Sequence, residues 1–246
     1  MTTLSPERRV QRVRHELLRR EVHVSRIQPV SPGLLAITFV GATLASFTSL
    51  SFDDHVKFII SDATGQQHMR DFTPCAFLPG SGELTLEFAL HPHGAACACA
   101  WARQARVGDA AVIAGPKGSM IIPMDYDWHL LAGDASALPA IRRRLQELPA
   151  HARALVFVEQ PAAEDPSPLP SRAAVQTQWL PDANAFVQAL RQAPLPDGEG
   201  FAWCAGEASV MARVRDVLLN ERQLPREATR ISAYWKAGAA DFHETL

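Results

Sequence analysis

Hydrophobic and polar positions alternate along the first half of the chain, which is the pattern of half-buried β-strands. In the clearest case, from Glu83 to Leu90, leucine or phenylalanine occupies every second position. Further short strands are predicted at residues 34–40, 55–61, 69–77 and 110–114, and one short helix at 99–104. Many short strands separated by glycine, proline, aspartate and serine favour an antiparallel barrel or sandwich.

The period of the pattern changes after Asp125. Short apolar strands are predicted at residues 128–132, 154–158, 175–180, 201–205 and 230–234, and they alternate with helices at 136–148, 183–191 and 208–220. This alternation favours a parallel sheet that helices cover on both faces. We therefore predict a β-barrel domain over residues 21–124 and an α/β domain over residues 125–246.

The first 20 residues have a different composition, because six of them are arginine. Val10, Val13, Leu17 and Leu18 are spaced as on one face of a helix. A short N-terminal helix is therefore predicted over residues 1–20, docked on the body of the protein with its arginines in solvent.

Composition and charge exclude several classes of protein. Lys and Arg total 24 against 26 for Asp and Glu, so no overall basic charge indicates a nucleic-acid partner. No apolar run reaches the ~18 residues that a membrane span needs. The 246 residues hold only four cysteines, which is too few for a disulfide scaffold. Without a recognisable secretory signal, the expected location is the cytoplasm.

The segment Arg70-Asp71-Phe72-Thr73-Pro74 has side chains that suit a flavin. A guanidinium pairs with phosphate, an aromatic ring packs on a planar ring system, and a hydroxyl reaches its polar edge. In a strand, Arg70, Phe72 and Pro74 point one way and Thr73 the other. A surface arginine beside a core phenylalanine would give the same pattern.

A run of small residues from His91 to Trp101 enters the predicted short helix. Small side chains let backbone N–H groups approach a diphosphate, and the candidate cofactor-binding residues here are His91, His93, Ala95, Ala96, Cys97, Ala98 and Cys99. The alternative is a buried helix of small residues. His91 and His93 lack a third metal ligand at convincing spacing, so no metal site is predicted, and the two cysteines are interpreted as inert small residues.

Two strand–turn–helix segments lie in the second half, at residues 130–141 and 203–209. A helix start near Ser136 is a place where the phosphates of a nicotinamide dinucleotide would bind, although the G-x-G-x-x-G fingerprint is absent. The candidate cofactor-binding residues here are Asp134, Ala135, Ser136, Gly206 and Glu207. Residues 142–144, all arginine, are interpreted as a solvated helix face. Glu159, after the second parallel strand, would favour a ribose 2′-hydroxyl over a 2′-phosphate.

Together these segments resemble the siderophore-interacting protein family of FAD-dependent ferric-siderophore reductases, and most closely its NADPH-dependent ferric-chelate reductase subgroup. The resemblance runs from about residue 13 to 238 and is carried by residues 52–57, 70–74, 93–101, 115–119, 133–144, 205–207 and 233–236. It implies a ferredoxin-reductase-like fold, in which the barrel binds FAD and the α/β domain binds NADPH or NADH. The implied activity is reduction of iron(III) in an imported siderophore.

The resemblance also assigns residues and partners. It places Trp235 at the cofactor and Lys57, Lys117 and Arg230 at the mouth that receives an anionic ferric chelate. The expected partner is a ferric siderophore, and the expected state is a monomer or weak dimer. Phe72 stands where the family usually has tyrosine, and alanine or cysteine replaces glycine and hydroxyl residues in the diphosphate run. A general flavin or ferredoxin–NAD(P) reductase and a non-catalytic siderophore-binding module are the alternatives.

Overall fold

A computed structural model describes residues 10–31, 33–61, 65–90, 97–160, 169–238 and 244–245. The chain divides between Ile121 and Ile122 into two compact units, each with its own sheet and core. None of the described helices is both long and apolar enough to cross a bilayer.

The first unit is mainly antiparallel sheet. Its described elements are β1 (Gln11–Arg14), β2 (Arg19–Ser31), β3 (Leu34–Val40), β4 (Val56–Ser61), β5 (Gln67–Phe72), β6 (Pro74–Leu78), β7 (Glu83–Ala89), α1 (Cys97–Gln104), β8 (Ala110–Ala114) and β9 (Gly118–Ile121). Seven strands form one sheet in the order β5-β4-β8-β2-β3-β7-β6. Its two edge strands, β5 and β6, are separated in the chain by Thr73 alone. The sheet must therefore curl until its edges meet, which confirms the predicted barrel in an open form. Residues 69–77, predicted as one strand, are divided between these two edges.

Aromatic rings fill the inside of the curled sheet. Phe58 lies at the centre, with ring centroids 4.9 Å from Trp101, 5.1 Å from Phe88 and 5.7 Å from Phe39. Trp101 belongs to α1, so the helix closes the barrel core with its largest side chain. Aromatic burial of this kind is a large share of the stability of a small domain.

The predicted N-terminal helix is wrong for residues 11–20. Residues 11–14 pair antiparallel with β9, and residues 19–23 pair with β8. These partners lie about a hundred positions away in the sequence, so helical spacing within the segment does not reveal them. Arg20, predicted in solvent, is 4% exposed and donates to the carbonyl oxygens of Gly115 (2.9 Å) and Ser46 (3.2 Å).

The second unit is a parallel α/β sheet, as predicted. Its described elements are β10 (Trp128–Gly133), α2 (Leu138–Glu147), β11 (Arg153–Glu159), β12 (Ala174–Leu180), α3 (Ala183–Gln192), β13 (Gly200–Glu207), α4 (Ala208–Arg215), β14 (Thr229–Trp235) and β15 (Glu244–Thr245). The sheet order is β12-β11-β10-β13-β14-β15, parallel except for β15. The helix predicted over 208–220 ends as α4 at Arg215 and continues as a π-helical turn, Asp216–Glu221.

The order in which strands are added to the sheet reverses between β10 and β13, although the two strands are parallel. From β10 the chain proceeds outward to β11 and β12, and it then returns to place β13 and β14 on the other side of β10. In open parallel sheets such a reversal leaves a crevice at the carboxyl ends of the two central strands, where ligands bind. A ligand site is therefore expected at the carboxyl ends of β10 and β13.

Gly200 tests the packing at the start of β13. A Cβ built there would overlap the indole of Trp128, whose side chain is buried beside it. We expect Gly200→Ala to lower the free energy of unfolding by about 3 kcal/mol, since neither the strand nor a buried ring can move freely. Urea unfolding measures this. Gly80→Ala, in a turn with no atom within 4 Å of the new Cβ, is the control, and an equal small effect in both variants would contradict the packing.

Candidate functional site

Carboxylates follow the parallel strands at their carboxyl ends. Asp182 follows β12, Glu159 ends β11, Asp134 follows β10 and Glu207 ends β13. Burial raises the pKa of Glu159, and the charges of Asp134, Asp182 and Glu207 raise it further, while Arg213 acts in the opposite direction. This edge of the sheet therefore carries a row of four acids, called the acid row below.

Asp134 connects three of the parallel strands. Its Oδ1 accepts from the backbone N–H of Ser136 at 2.8 Å and from the Ser136 hydroxyl. Its Oδ2 accepts from the backbone N–H of Glu207 at 3.0 Å and from Nε1 of Trp235 at 2.8 Å. A single carboxylate thus holds the ends of β10, β13 and β14 in register.

Glu207 has a similar local role at α4. Its Oε2 accepts from the backbone N–H groups of Ser209 (2.7 Å) and Val210 (3.1 Å), as the N-cap of the helix. The N–H groups at Ser136 and Ser209 are therefore already bound to carboxylates of this chain. The sequence predicted that dinucleotide phosphates bind at a helix start near Ser136. In the structure α2 begins at Leu138, two residues later, and the phosphate position stays a prediction.

The prediction that residues 142–144 form a solvated arginine face is wrong for two of the three. Arg142 is 7% and Arg144 is 3% exposed. Arg144 Nη2 donates to the carbonyl oxygen of Pro123 at 2.6 Å, and burial lowers its pKa to about 10. Arg143 bonds to Glu147 through Nε at 2.9 Å. The Arg144 contact fixes α2 to the segment before β10, whereas the Arg143 pair lies within the helix.

In the first unit, Arg70 and Phe72 share the inner face of edge strand β5, as the alternation predicted. The Phe72 ring packs on Phe88, with centroids 4.4 Å apart, so part of it is core. Thr73 and Pro74 are buried where the chain passes from β5 to β6. Thr73 has no ladder partner among the described strands, and its carbonyl oxygen accepts from the Cys75 thiol at 3.4 Å.

The diphosphate run is described only in part. Residues 91–96, which include His91, His93, Ala95 and Ala96, and the side chain of Cys97 lie outside the described residues. Ala98 is buried at the start of α1. The thiol of Cys99 donates to the carbonyl oxygen of Ala89 at 2.9 Å, so Cys99 ties α1 to β7. A guanidinium, an aromatic ring and a helix that begins with small residues fit the chemistry of a flavin dinucleotide.

The three proposed substrate cations have different surroundings. The Lys57 ammonium lies 2.8 Å from Oδ2 of Asp71 on the neighbouring strand. Lys117 is exposed in the loop before β9. Arg230 is half-buried opposite Trp203, near the amino end of β14 and away from the acid row.

Comparison with known proteins identifies the family. A family model described as "Siderophore-interacting protein" matches residues 126–238, and one described as "Siderophore-interacting FAD-binding domain" matches residues 23–69 and 62–120. An NADPH-dependent ferric-chelate reductase of Escherichia coli (strain K12) is 34% identical, over 92% of this chain and 96% of the relative. The chain belongs to the siderophore-interacting protein family.

Solved structures agree with this assignment. The crystal structure of a siderophore utilization protein from T. fusca matches this siderophore-interacting protein with a TM-score of 0.86 and 28% identity, over 95% of this chain and 98% of that one. A ferredoxin reductase in carbazole 1,9a-dioxygenase matches with a TM-score of 0.66 and 16% identity, over 87% of this chain and 68% of that one. The second match shows the fold alone, and the predicted ferredoxin-reductase-like architecture is confirmed.

A buried hydrogen-bonded group, which sequence analysis did not predict, supports the Lys117 loop of this siderophore-interacting protein. Ser119 Oγ donates to Oδ2 of Asp54 at 2.7 Å, lies 2.8 Å from His15 Nε2, and accepts from the backbone N–H of Leu50 at 3.2 Å. Asp54 and Ser119 both lie in segments that carry the family resemblance. Their spacing of 65 positions left no local signal that they meet.

The Glu207 cap makes stability depend on pH. Partial burial acts to raise the pKa of Glu207, but hydrogen bonds from Ser209, Ala237 and Val210 outweigh it, and the pKa is lowered overall. Because the folded pKa is depressed, the stabilisation is present at neutral pH and is lost as pH falls through the folded value, below the ordinary 4.5.

We therefore expect Glu207→Ala to cost about 1 kcal/mol of unfolding free energy at neutral pH, as for loss of an N-cap. The difference from wild type should shrink in acid, as measured by urea unfolding at both pH values. Glu227→Ala, which removes an exposed glutamate that caps no α-helix, is the control. A cost for Glu207→Ala that does not change with pH would rule out the ionised cap.

Proposed function

We infer that this protein is a flavoenzyme that uses NAD(P)H to reduce iron(III) in a ferric siderophore or similar ferric chelate to iron(II). The observation that carries this proposal is the match of both halves of one chain to the siderophore-interacting family, with the FAD-binding domain first. Oxygen ligands that hold iron(III) tightly hold iron(II) far less well, so reduction releases the metal. The iron is substrate, held by its chelator, and needs no ligand from the protein.

FAD supplies the redox chemistry when bound, because it accepts a hydride's two electrons and gives them up singly, as one-electron reduction of iron requires. In our proposal the residues that hold it are Arg70, Phe72, Thr73, Pro74, His91, His93, Ala95, Ala96, Cys97, Ala98 and Cys99. Arg70 binds phosphate, and Phe72 presents the outer part of a ring that Phe88 supports. Since the Cys99 thiol bonds to Ala89, Cys99 contributes through its backbone rather than its side chain.

The nicotinamide nucleotide is assigned to the carboxyl ends of β10, β13 and β14. The residues proposed to line its site are Asp134, Ala135, Ser136, Gly206, Glu207 and Trp235. Glu207 already occupies the first N–H groups of α4, and Asp134 occupies the N–H of Ser136 in the turn before α2. We therefore assign these residues to the nicotinamide and ribose end of the molecule. The acid row disfavours any phosphate that is placed directly against it.

The chelate is assigned to Lys57, Lys117 and Arg230. Catecholate complexes of iron(III) are anionic, and cations at the mouth of a site attract them. Lys57 forms an ion pair with Asp71, which offsets part of its charge. The Lys117 side chain has no such partner among the residues that the structure describes. We infer that Lys117 contributes most to this attraction.

Two alternatives are separated by direct assay. The purified protein is examined for the visible absorbance of bound flavin, and the flavin is then reduced anaerobically with NADPH or NADH. A ferric catecholate is added, and a ferrous-specific chelator traps the iron(II) produced. A protein without flavin would be a siderophore-binding module, and flavin reduction without transfer to ferric chelates would indicate a general flavin or ferredoxin reductase.

Charge reversal at Lys117 tests the chelate mouth. We expect Lys117→Glu to raise the KM for an anionic ferric chelate about fivefold at low ionic strength, with a smaller effect for Lys117→Gln. The effect should shrink as salt rises, since exposed charges are screened over about 8–10 Å at ordinary ionic strength.

Steady-state kinetics at several salt concentrations measure this effect. Arg226→Glu, an exposed cation just before β14, is the matched charge reversal and should leave the KM unchanged. Slower flavin reduction by NADPH in Lys117→Glu, or a loss that salt does not diminish, would show that Lys117 has another role.

A further inference from the structure

An exposed aromatic ring lies beside the acid row in one fixed orientation. Trp235 is the last residue of β14, and 45% of its surface is exposed. Its Nε1 donates to Oδ2 of Asp134 at 2.8 Å. An indole has only one hydrogen-bond donor, so this bond fixes the edge of the ring and leaves its apolar surface open to a ligand.

The carboxylate that holds the ring occupies a space that only glycine provides. A Cβ built on Gly206 would lie 2.8 Å from Oδ2 and 3.1 Å from Cγ of Asp134. Gly206 belongs to β13 and Asp134 follows β10. This contact therefore bridges the two parallel strands between which the strand order reverses. The indole is thereby held at the crevice where open parallel sheets bind ligands.

Asp134 has no hydrogen-bonding capacity directed at a ligand. Oδ1 is engaged by Ser136, and Oδ2 is engaged by Glu207 and Trp235. Its influence on a bound molecule must therefore pass through the groups that it holds. Of these, Trp235 alone presents a large exposed surface.

We propose that Asp134 is a positioning residue, and that the indole it holds is the surface on which the nicotinamide ring stacks. The proposal rests on the proposed function, which supplies a nicotinamide nucleotide as ligand. The ring is planar, and in the oxidised nucleotide it is positively charged. An indole face attracts such a ring by stacking and by cation–π interaction, and the acid row adds a favourable field.

A double-mutant cycle tests this on the FAD-loaded protein, with the Kd for NADP⁺ and NAD⁺ measured by calorimetry. Asp134→Asn replaces one carboxylate oxygen by an NH2 group, which cannot accept the hydrogen bonds that this oxygen accepts in the wild-type protein. Trp235→Phe keeps an aromatic ring but removes the indole N–H. We expect Asp134→Asn to weaken binding about fivefold in the wild-type background. In the Trp235→Phe background the further loss should be less than about twofold, because the bond is already absent.

Removal of the Asp134 charge acts equally in both backgrounds, so it cancels from the comparison. If Asp134 acted only by stabilising the fold, Asp134→Asn would raise the Kd by the same factor in both backgrounds. Equal effects of Asp134→Asn with and without Trp235 would therefore overturn the proposal. Trp235→Leu gives a second test that leaves Asp134 intact: binding should weaken about tenfold, and an unchanged Kd would also overturn the proposal.

The amino ends of the same strands, opposite the acid row, supply a matched control. Asp127 Oδ2 accepts from the backbone N–H of Glu199 at 2.7 Å, and a Cβ on Gly198 would overlap its carboxylate. This repeats the Asp134–Gly206 arrangement at the amino ends of β10 and β13. Asp127→Asn should lower the melting temperature but leave nucleotide binding unchanged, and weakened binding in this variant would contradict a role specific to Asp134.

Failure of the inference and failure of the proposed function give different results. If wild-type flavin is reduced by NAD(P)H but the cycle shows no coupling, only the role of Asp134 and Trp235 is rejected. If the wild-type protein neither binds a nicotinamide nucleotide nor has its flavin reduced by one, both proposals are rejected.

Discussion

Burial of the parallel sheet on both faces is the constraint on which the rest of the second unit depends. Every residue of β10 is buried, as are the interior residues of β11 and β13. An ionised group there would have no compensating partner, so the interiors of these strands carry no carboxylate or cation. The one titratable side chain inside β10 is His129, whose pKa burial lowers to about 3. Polar chemistry is therefore confined to the strand ends, and the four carboxylates of the acid row lie there.

The acid row sets the polar chemistry at the carboxyl ends of these strands, where the sequence lacks a glycine-rich fingerprint. Dinucleotide folds usually leave helix N–H groups open for phosphate. Here Glu207 caps α4, and Asp134 binds the N–H of Ser136 in the turn before α2, so these N–H groups are engaged within the chain. In our proposal, nucleotide recognition at these strand ends therefore depends on contacts to rings and hydroxyl groups, because the carboxylates repel a phosphate placed against them.

The elements that the sequence predicted correctly are those whose signal is local. β3 and β8 were predicted at their observed bounds, because alternation or a short apolar run marks a strand without reference to its partner. β1 was missed because it is a strand only through its pairing with β9, which begins at residue 118 and is therefore distant in the sequence. The burial of Arg142 and Arg144 was missed because long side chains reach backbone that is distant in the sequence. The Asp134–Trp235 bond, across 101 positions, had no local signal.

The two lysines of the first unit show why the position of a cation counts as much as its charge. Lys57 is aligned by an ion pair across two strands, and Asp71 offsets part of the field that it presents. Lys117 instead lies on a loop that Ser119 fastens to the buried carboxylate of Asp54. A loop held in this way keeps the backbone of the exposed Lys117 in one position. In our proposal, the buried Asp54 thus supports the attraction of an anionic chelate by fixing the backbone next to Lys117.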